Sequence, residues 1–185
     1  VLPNLNHQEP IVIVASGPSL EKSQVDHVRG KARVLVINDN YLLAPWADYH
    51  YFCDKKWWEW HKDKPEFKAF KGQKFTQDPR IDHKQEGLTY IESRGNCGLS
   101  EDPKVIHQGS NSGYQAINLA YHMKPSKVIL LGYDMQLTKG QAHWFGEHPD
   151  NVRSSYHAWM IFYDSLADHA RKANLEIINC TKESA

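Results

Sequence analysis

Three cysteines, Cys53, Cys97 and Cys180, are all that 185 residues carry. They are too few and too scattered for a disulfide framework or a zinc knuckle, so a reducing, cytoplasmic setting is expected. Neither sign of charge is in excess, because Lys plus Arg and Asp plus Glu stand at 22 each. That balance excludes a histone-like or polybasic nucleic-acid binder, whose affinity comes from releasing counter-ions at many phosphates; a local basic groove stays open. No apolar run approaches the roughly 20 residues of a membrane helix, and the first residues show no signal-peptide pattern. Internal repeats and low-complexity tracts are also missing. What is present is the composition of a folded domain. At 41% hydrophobic residues the chain is too apolar for disorder, and its length buries one sizeable core. Eleven His is a high count and fits a small soluble enzyme.

Four continuous apolar, β-branched runs predict strands: Ile11–Ala15, Arg33–Ile37, Lys127–Leu131 and Leu175–Asn179. Runs apolar on both faces belong to parallel sheets covered by helices. Tyr49–Cys53 and Lys104–His107 are shorter candidates. Helices are predicted between them: one capped by Ser19 and running to about Arg29, one over Asn111–Met123, and one from about Val152 to Ala173 with apolar groups at helical spacing. Strand and helix alternate, so the expected fold is α/β and Rossmann-like. It has a mostly parallel central sheet with helices on both faces, all in one domain spanning residues 1–185. Between His61 and Pro103 the periodicity fades, and an irregular, lid-like insertion is expected. Met135–Asn151 also reads as loop.

In open α/β sheets ligands bind beyond the carboxyl ends of the strands, and four segments put small or polar residues there. Ser16-Gly17-Pro18-Ser19 follows the first strand. Its glycine lets a ligand approach the backbone and the next helix offers N–H groups to a phosphate, though the motif is neither GxGxxG nor a Walker loop and reads equally as a plain strand-to-helix turn. Asn38-Asp39-Asn40-Tyr41 follows the second. Its amides suit a ribose or base edge, or ordinary turn chemistry. Ser110-Asn111-Ser112-Gly113 opens a helix, and Tyr133-Asp134 follows a later strand. Asp134 suits a sugar hydroxyl, a metal or a turn cap, and no second Asp makes it a DxD motif. Asp54, at another strand end, belongs to the same edge. Trp57, Trp58 and Trp60 read as a helix end packed on the sheet, with a stacking platform as the other reading. His143, His148 and His157 cluster after the fourth segment. The first two are not at a zinc spacing, while an imidazole can take a proton from a hydroxyl nucleophile.

Taken in order, IVIVASGPSL (11–20), the strand ending in Asn38, the turn from Asp54 to Trp60, SNSGYQAINLA (110–120) and VILLGYDM (128–135) resemble the bacterial lipooligosaccharide sialyltransferases. They equally resemble the related 6-hydroxymethylpterin diphosphokinase and motility-accessory-factor glycosyltransferase group. The HWFGEHP segment (143–149) is similar to short members of that superfamily from tailed phages, which would put the protein in a host's cytoplasm. The resemblance covers about residues 11–180 and matches poorly over 61–103. It implies that Ser16 and Ser19 contact the nucleotide phosphate and ribose, that Asn38 binds the nucleotide, and that Ser112 and Gly113 match a TSG turn. Asp54 stands where the family has a nucleotide-binding Asn, and His157 falls at the catalytic histidine. The family's phosphate-binding tyrosines have no clear match, and His143 or His148 would substitute.

The resemblance therefore implies a glycosyltransferase using a nucleotide-activated sugar as co-substrate. It would hold no tightly bound cofactor and assign no metal ligands, and a histidine base would activate a hydroxyl on a glycan or a modified DNA base. One alternative is an ATP- and Mg²⁺-dependent diphosphokinase acting on a pterin-like alcohol, with Asp134 or Asp54 on the metal. The other is a non-catalytic nucleotide-binding protein. Association of copies into a homo-oligomer is in keeping with the family.

Overall fold

A computed structural model describes residues 1–147, 149 and 154–185. The central sheet is built from β1 (Ile11–Val14), β2 (Arg33–Ile37), β3 (Tyr49–Phe52), β4 (Gln73–Thr76), β5 (Thr89–Tyr90), β8 (Val128–Leu131) and β9 (Ile177–Asn179). Its order is β5-β4-β3-β2-β1-β8-β9, and every neighbouring pair is parallel. The fold is thus α/β and Rossmann-like. Two short parallel strands, β6 (Glu92–Ser93) and β7 (Val105–Ile106), form a separate pair.

Both faces are covered, which is why β1 and β8 are apolar throughout. Side chains alternate across a strand. Ile11, Ile13, Leu35, Ile37 and Tyr51 therefore pack on one face against α4 (Ser112–His122) and α5 (Tyr156–Lys172). Val12, Val14, Val34, Val36 and Phe52 pack on the other against α1 (Lys22–Val28), α2 (Lys55–His61) and α3 (Pro65–Ala69). Trp57 and Trp58 are buried there, Trp57 stacked on Phe52 at 5.0 Å, as the packed-helix reading of that aromatic block expected. No helix among the described residues is long and apolar enough to cross a membrane.

The α1 boundary and residues 61–103 differ from the sequence reading. Ser19 does not cap α1. The helix begins three residues later, with Glu21 at the cap and its N–H donated to Gln24 Oε1 at 2.9 Å, because Ser19 is bonded elsewhere. The last helix is Tyr156–Lys172, and its expected start at about Val152 lies outside the described residues. Residues 61–103 hold α3, β4, β5 and β6 between their turns, and β4 and β5 extend the central sheet. A strand of two to four half-buried residues has too little pattern to announce itself, so this stretch reads as more irregular than it is.

Candidate functional site

From β1 the chain runs to β2, β3, β4 and β5 on one side, while β8 lies on the other side of β1. The strand order therefore reverses between β1 and β8, which is where an open α/β sheet leaves a crevice beyond its carboxyl ends. A cavity of about 310 Å³ lies there, large enough for a small ligand. Its wall takes Ser16 and Gly17 from the end of β1, Asn38 after β2, Cys53 and Asp54 after β3, and Tyr133 and Asp134 after β8. Ser110 to Gly113 and His143 complete the predicted residues in the wall, and none of residues 61–103 lines it.

The four segments meet, but they divide in what they do. Asp134 is 1% exposed and accepts three hydrogen bonds, from the Ser19 amide at 3.0 Å, the Ser19 hydroxyl at 2.8 Å and Thr138 Oγ1 at 2.7 Å. It ties the β1–α1 turn to the end of β8. A Cβ on Gly17 would overlap both the Gly132 carbonyl oxygen and the Asp134 carboxylate, so the closeness of these two turns requires glycine. Pro18 and Ser19 are not in the cavity wall. Asn40 is fully buried and equally occupied. Its Nδ2 donates to Val14 O, Ile37 O and Ser16 Oγ, and its Oδ1 accepts the Trp144 indole N–H at 2.7 Å. The Trp144 amide donates to Ser16 O at 3.1 Å. Trp144 thereby pins the loop after β8, with His143, against the first strand end.

Other groups face the cavity with capacity to spare. Ser16 Oγ accepts from Asn40 and keeps its own proton to donate. Asn38 opens a 3-10 turn (Asn38–Leu42) with a left-handed φ of 49°, and its Oδ1 is buried without a partner. Asn111 caps α4, accepting the Tyr114 amide on Oδ1 at 2.9 Å, which leaves the amides of Ser112 and Gly113 at the first helical positions without an intrahelical acceptor. Asp54 caps α2 through Oδ1 and accepts the Cys53 thiol on Oδ2 at 3.3 Å. Cys53 in turn accepts from Ser112 Oγ at 3.2 Å. Burial, reinforced by the Asp54 charge, pushes that thiol up to about 12, so it is a neutral hydrogen-bonding group.

The opposite wall is aromatic, and most of its rings come from the apolar stripe expected of the last helix. Tyr156, Trp159 and Tyr163 on α5 line the cavity beside Tyr133. Tyr133 donates to Gly113 O at 3.0 Å, Tyr163 to Asn111 Oδ1 at 3.3 Å and Tyr156 to Ala142 O at 3.2 Å. Burial raises the pKa of all three hydroxyls, so they act as donors and not as phenolates. Their signal was available: three aromatics at helical spacing directly after the loop that follows β8.

The histidines separate. His143 lies in the cavity wall, its ring stacked on Phe145 at 5.0 Å. His157 is exposed on the first turn of α5, outside the lining but next to Tyr156. His148 lies outside the described residues. Among the described residues no group of three or more His, Cys, Asp or Glu side chains is placed to hold a metal ion, and no Lys or Arg side chain lines the cavity. The described lining offers an anion helix amides, hydroxyls and an imidazole. Compared with known proteins, the chain matches no protein-family model and no curated protein sequence.

Proposed function

We propose that the cavity binds the nucleotide of an activated sugar and that the protein transfers the sugar to an acceptor hydroxyl. One observation carries this reading. The Asn38 turn, the Ser16–Gly17 turn and the amino end of α4 converge on one cavity at the reversal of strand order, facing a wall of Tyr and Trp. Amide and serine groups suit a ribose or base edge, the α4 amides suit phosphate, and the aromatic wall suits a flat or sugar ring.

In this reading the acceptor oxygen attacks the anomeric carbon. The anomeric C–O bond breaks with its electron pair going to the nucleotide phosphate, and the acceptor proton passes to an imidazole. His143 is assigned that role because it lines the cavity whereas His157 does not. The amides of Ser112 and Gly113, without intrahelical acceptors, oppose the charge that develops on the leaving phosphate. A positioned base contributes about 10²–10⁴-fold. His143→Ala therefore loses turnover by that order with nucleotide binding retained, and His157→Ala has little effect. The reverse pattern moves the base to His157.

The first test is a thermal-shift panel of CMP, CDP, UDP, GDP and ATP, each with and without Mg²⁺. A ligand at 100 times its Kd stabilises the native state by about 2.7 kcal/mol. Stabilisation by a pyrimidine nucleotide or its sugar without metal supports transfer chemistry and names the donor class. Stabilisation by ATP with Mg²⁺ alone replaces it with phosphoryl transfer, and silence across the panel removes the nucleotide reading.

A further inference from the structure

The turn that carries Asn38 is anchored at nearly every group except the Asn38 side chain. A left-handed φ in a non-glycine residue costs on the order of 1 kcal/mol and persists only where surrounding contacts over-determine it. Those contacts are present. Asp39 accepts the Trp57 indole N–H at 2.7 Å, Tyr41 shares a 2.8 Å hydrogen bond with His61 Nδ1, and Asn40 bridges the ends of β1 and β2 and Trp144. The Asn38 carbonyl itself accepts from His50 Nε2 at 2.8 Å.

His50 is the unexpected member. It sits on β3 at 0% exposure, with its ring centroid 5.4–5.7 Å from Tyr41, Phe52, Trp57, Phe67 and Phe70. Burial, with smaller contributions from Lys74 and His61, drives its pKa down to about 3, so the ring is neutral and carries one N–H. That hydrogen is on Nε2, facing the carbonyl, and Nδ1 is left buried without a partner. In an aromatic cage a phenyl ring would leave no such orphan, and a buried unpaired acceptor costs stability. What the imidazole adds over a phenyl ring is the one hydrogen bond to Asn38.

We infer that His50 is a positioning residue for the nucleotide site, its Nε2–H fixing the Asn38 carbonyl and with it the left-handed backbone that holds the Asn38 amide in the cavity wall. The inference rests on the nucleotide reading for its effect on binding, and on the geometry alone for its effect on Asn38.

The test compares His50→Phe, which fills the cage without a donor, with His50→Gln, whose amide N–H can replace Nε2–H. Each is titrated calorimetrically with CMP, UDP and GDP. His50→Phe keeps a cooperative thermal transition and weakens the bound nucleotide by about tenfold, the loss of one hydrogen bond's worth of organisation, while His50→Gln restores most of it. In an Asn38→Ala background His50→Phe has no further effect, the signature of two residues acting as one unit. Unchanged affinity in a folded His50→Phe, or the same loss in the Asn38→Ala background, overturns the assignment. If the wild type binds none of the three nucleotides, the transferase reading falls and nuclear magnetic resonance decides the inference by itself. Asn38 leaving its left-handed backbone in His50→Phe upholds it, and Asn38 keeping that backbone overturns it. If His50→Phe does not fold, the wild-type ring decides: long-range ¹⁵N couplings report the Nε2–H tautomer, and an Nδ1–H tautomer overturns the inference.

Discussion

The two turns at the carboxyl edge of β1 and β2 both read from the sequence as ligand edges and are employed in opposite ways. In Ser16–Ser19, the distal end is consumed by structure: Ser19 gives both its amide and its hydroxyl to Asp134, and Gly17 is required by the closeness of the β8 end. In Asn38–Leu42, the interior residues Asn40 and Tyr41 are buried and bonded, and the leading residue, Asn38, keeps its amide unbonded in the cavity wall. Polar residues at a ligand edge thus fall into two kinds. Some hold the edge together, and those left over face the ligand. The difference predicts which substitutions unfold the protein and which only empty the site.

The largest effect belongs to the structural kind. Asp134→Ala removes a buried carboxylate that accepts three hydrogen bonds and destabilises the fold by about 3 kcal/mol or more, read as a lower urea midpoint. A loss under about 1 kcal/mol would return Asp134 to the pool of ligand groups. Next in size is the pH dependence set by His50. Its folded pKa of about 3 lies below the unfolded 6.5, so below pH 6.5 the unfolded chain takes up a proton that the native state refuses. Stability is full above 6.5 and falls by about 1.4 kcal/mol per pH unit as pH drops towards 3. That contribution is missing from His50→Phe, which keeps only the part due to His122, whose pKa burial also lowers, as urea unfolding at pH 7, 6 and 5 would reveal.

Asn38→Ala is the counterpart of Asp134→Ala. It destabilises the fold by only about 1 kcal/mol, because alanine tolerates the left-handed φ of 49° less well than asparagine, yet weakens nucleotide binding by about tenfold or more. Equal losses of stability in the two variants would erase the distinction between the turns. The smallest effect is chemical. Cys97 and Cys180 are exposed and Cys53 is part of the cavity wall with its pKa pushed up to about 12. A thiol reagent at pH 8 therefore titrates two groups quickly and the third slowly, since the thiolate is the nucleophile, and bound nucleotide slows the third further.

Much of this was legible in the sequence because it is local. Strands such as Ile11–Val14 and Val128–Leu131 are apolar on both faces, which names a covered parallel sheet, and the residues that follow them mark its ligand edge. Ser16, Gly17, Asn38, Asp54, Ser112 and Gly113 all reach the cavity. What was hidden is long-range pairing. Ser19 and Asp134 are 115 residues apart, and nothing in either turn says that the two satisfy each other, so both read as ligand groups. Tyr156, Trp159 and Tyr163 share a helical stripe that serves core and cavity alike, and periodicity cannot tell a buried face from a binding wall. His50 reads as one residue of a strand until the five rings around it are placed.

The most direct measurement is a ¹H–¹⁵N titration of the assigned protein with CMP, UDP and GDP. Shifts concentrated at Ser16, Gly17, Asn38 and Ser110–Gly113, and missing from Asn38→Ala at the same concentration, are the predicted result. Shifts centred instead on the cleft of Arg29, Arg33 and Trp46, or no shifts with any of the three, would contradict the assignment of the cavity between β1 and β8 as the nucleotide site.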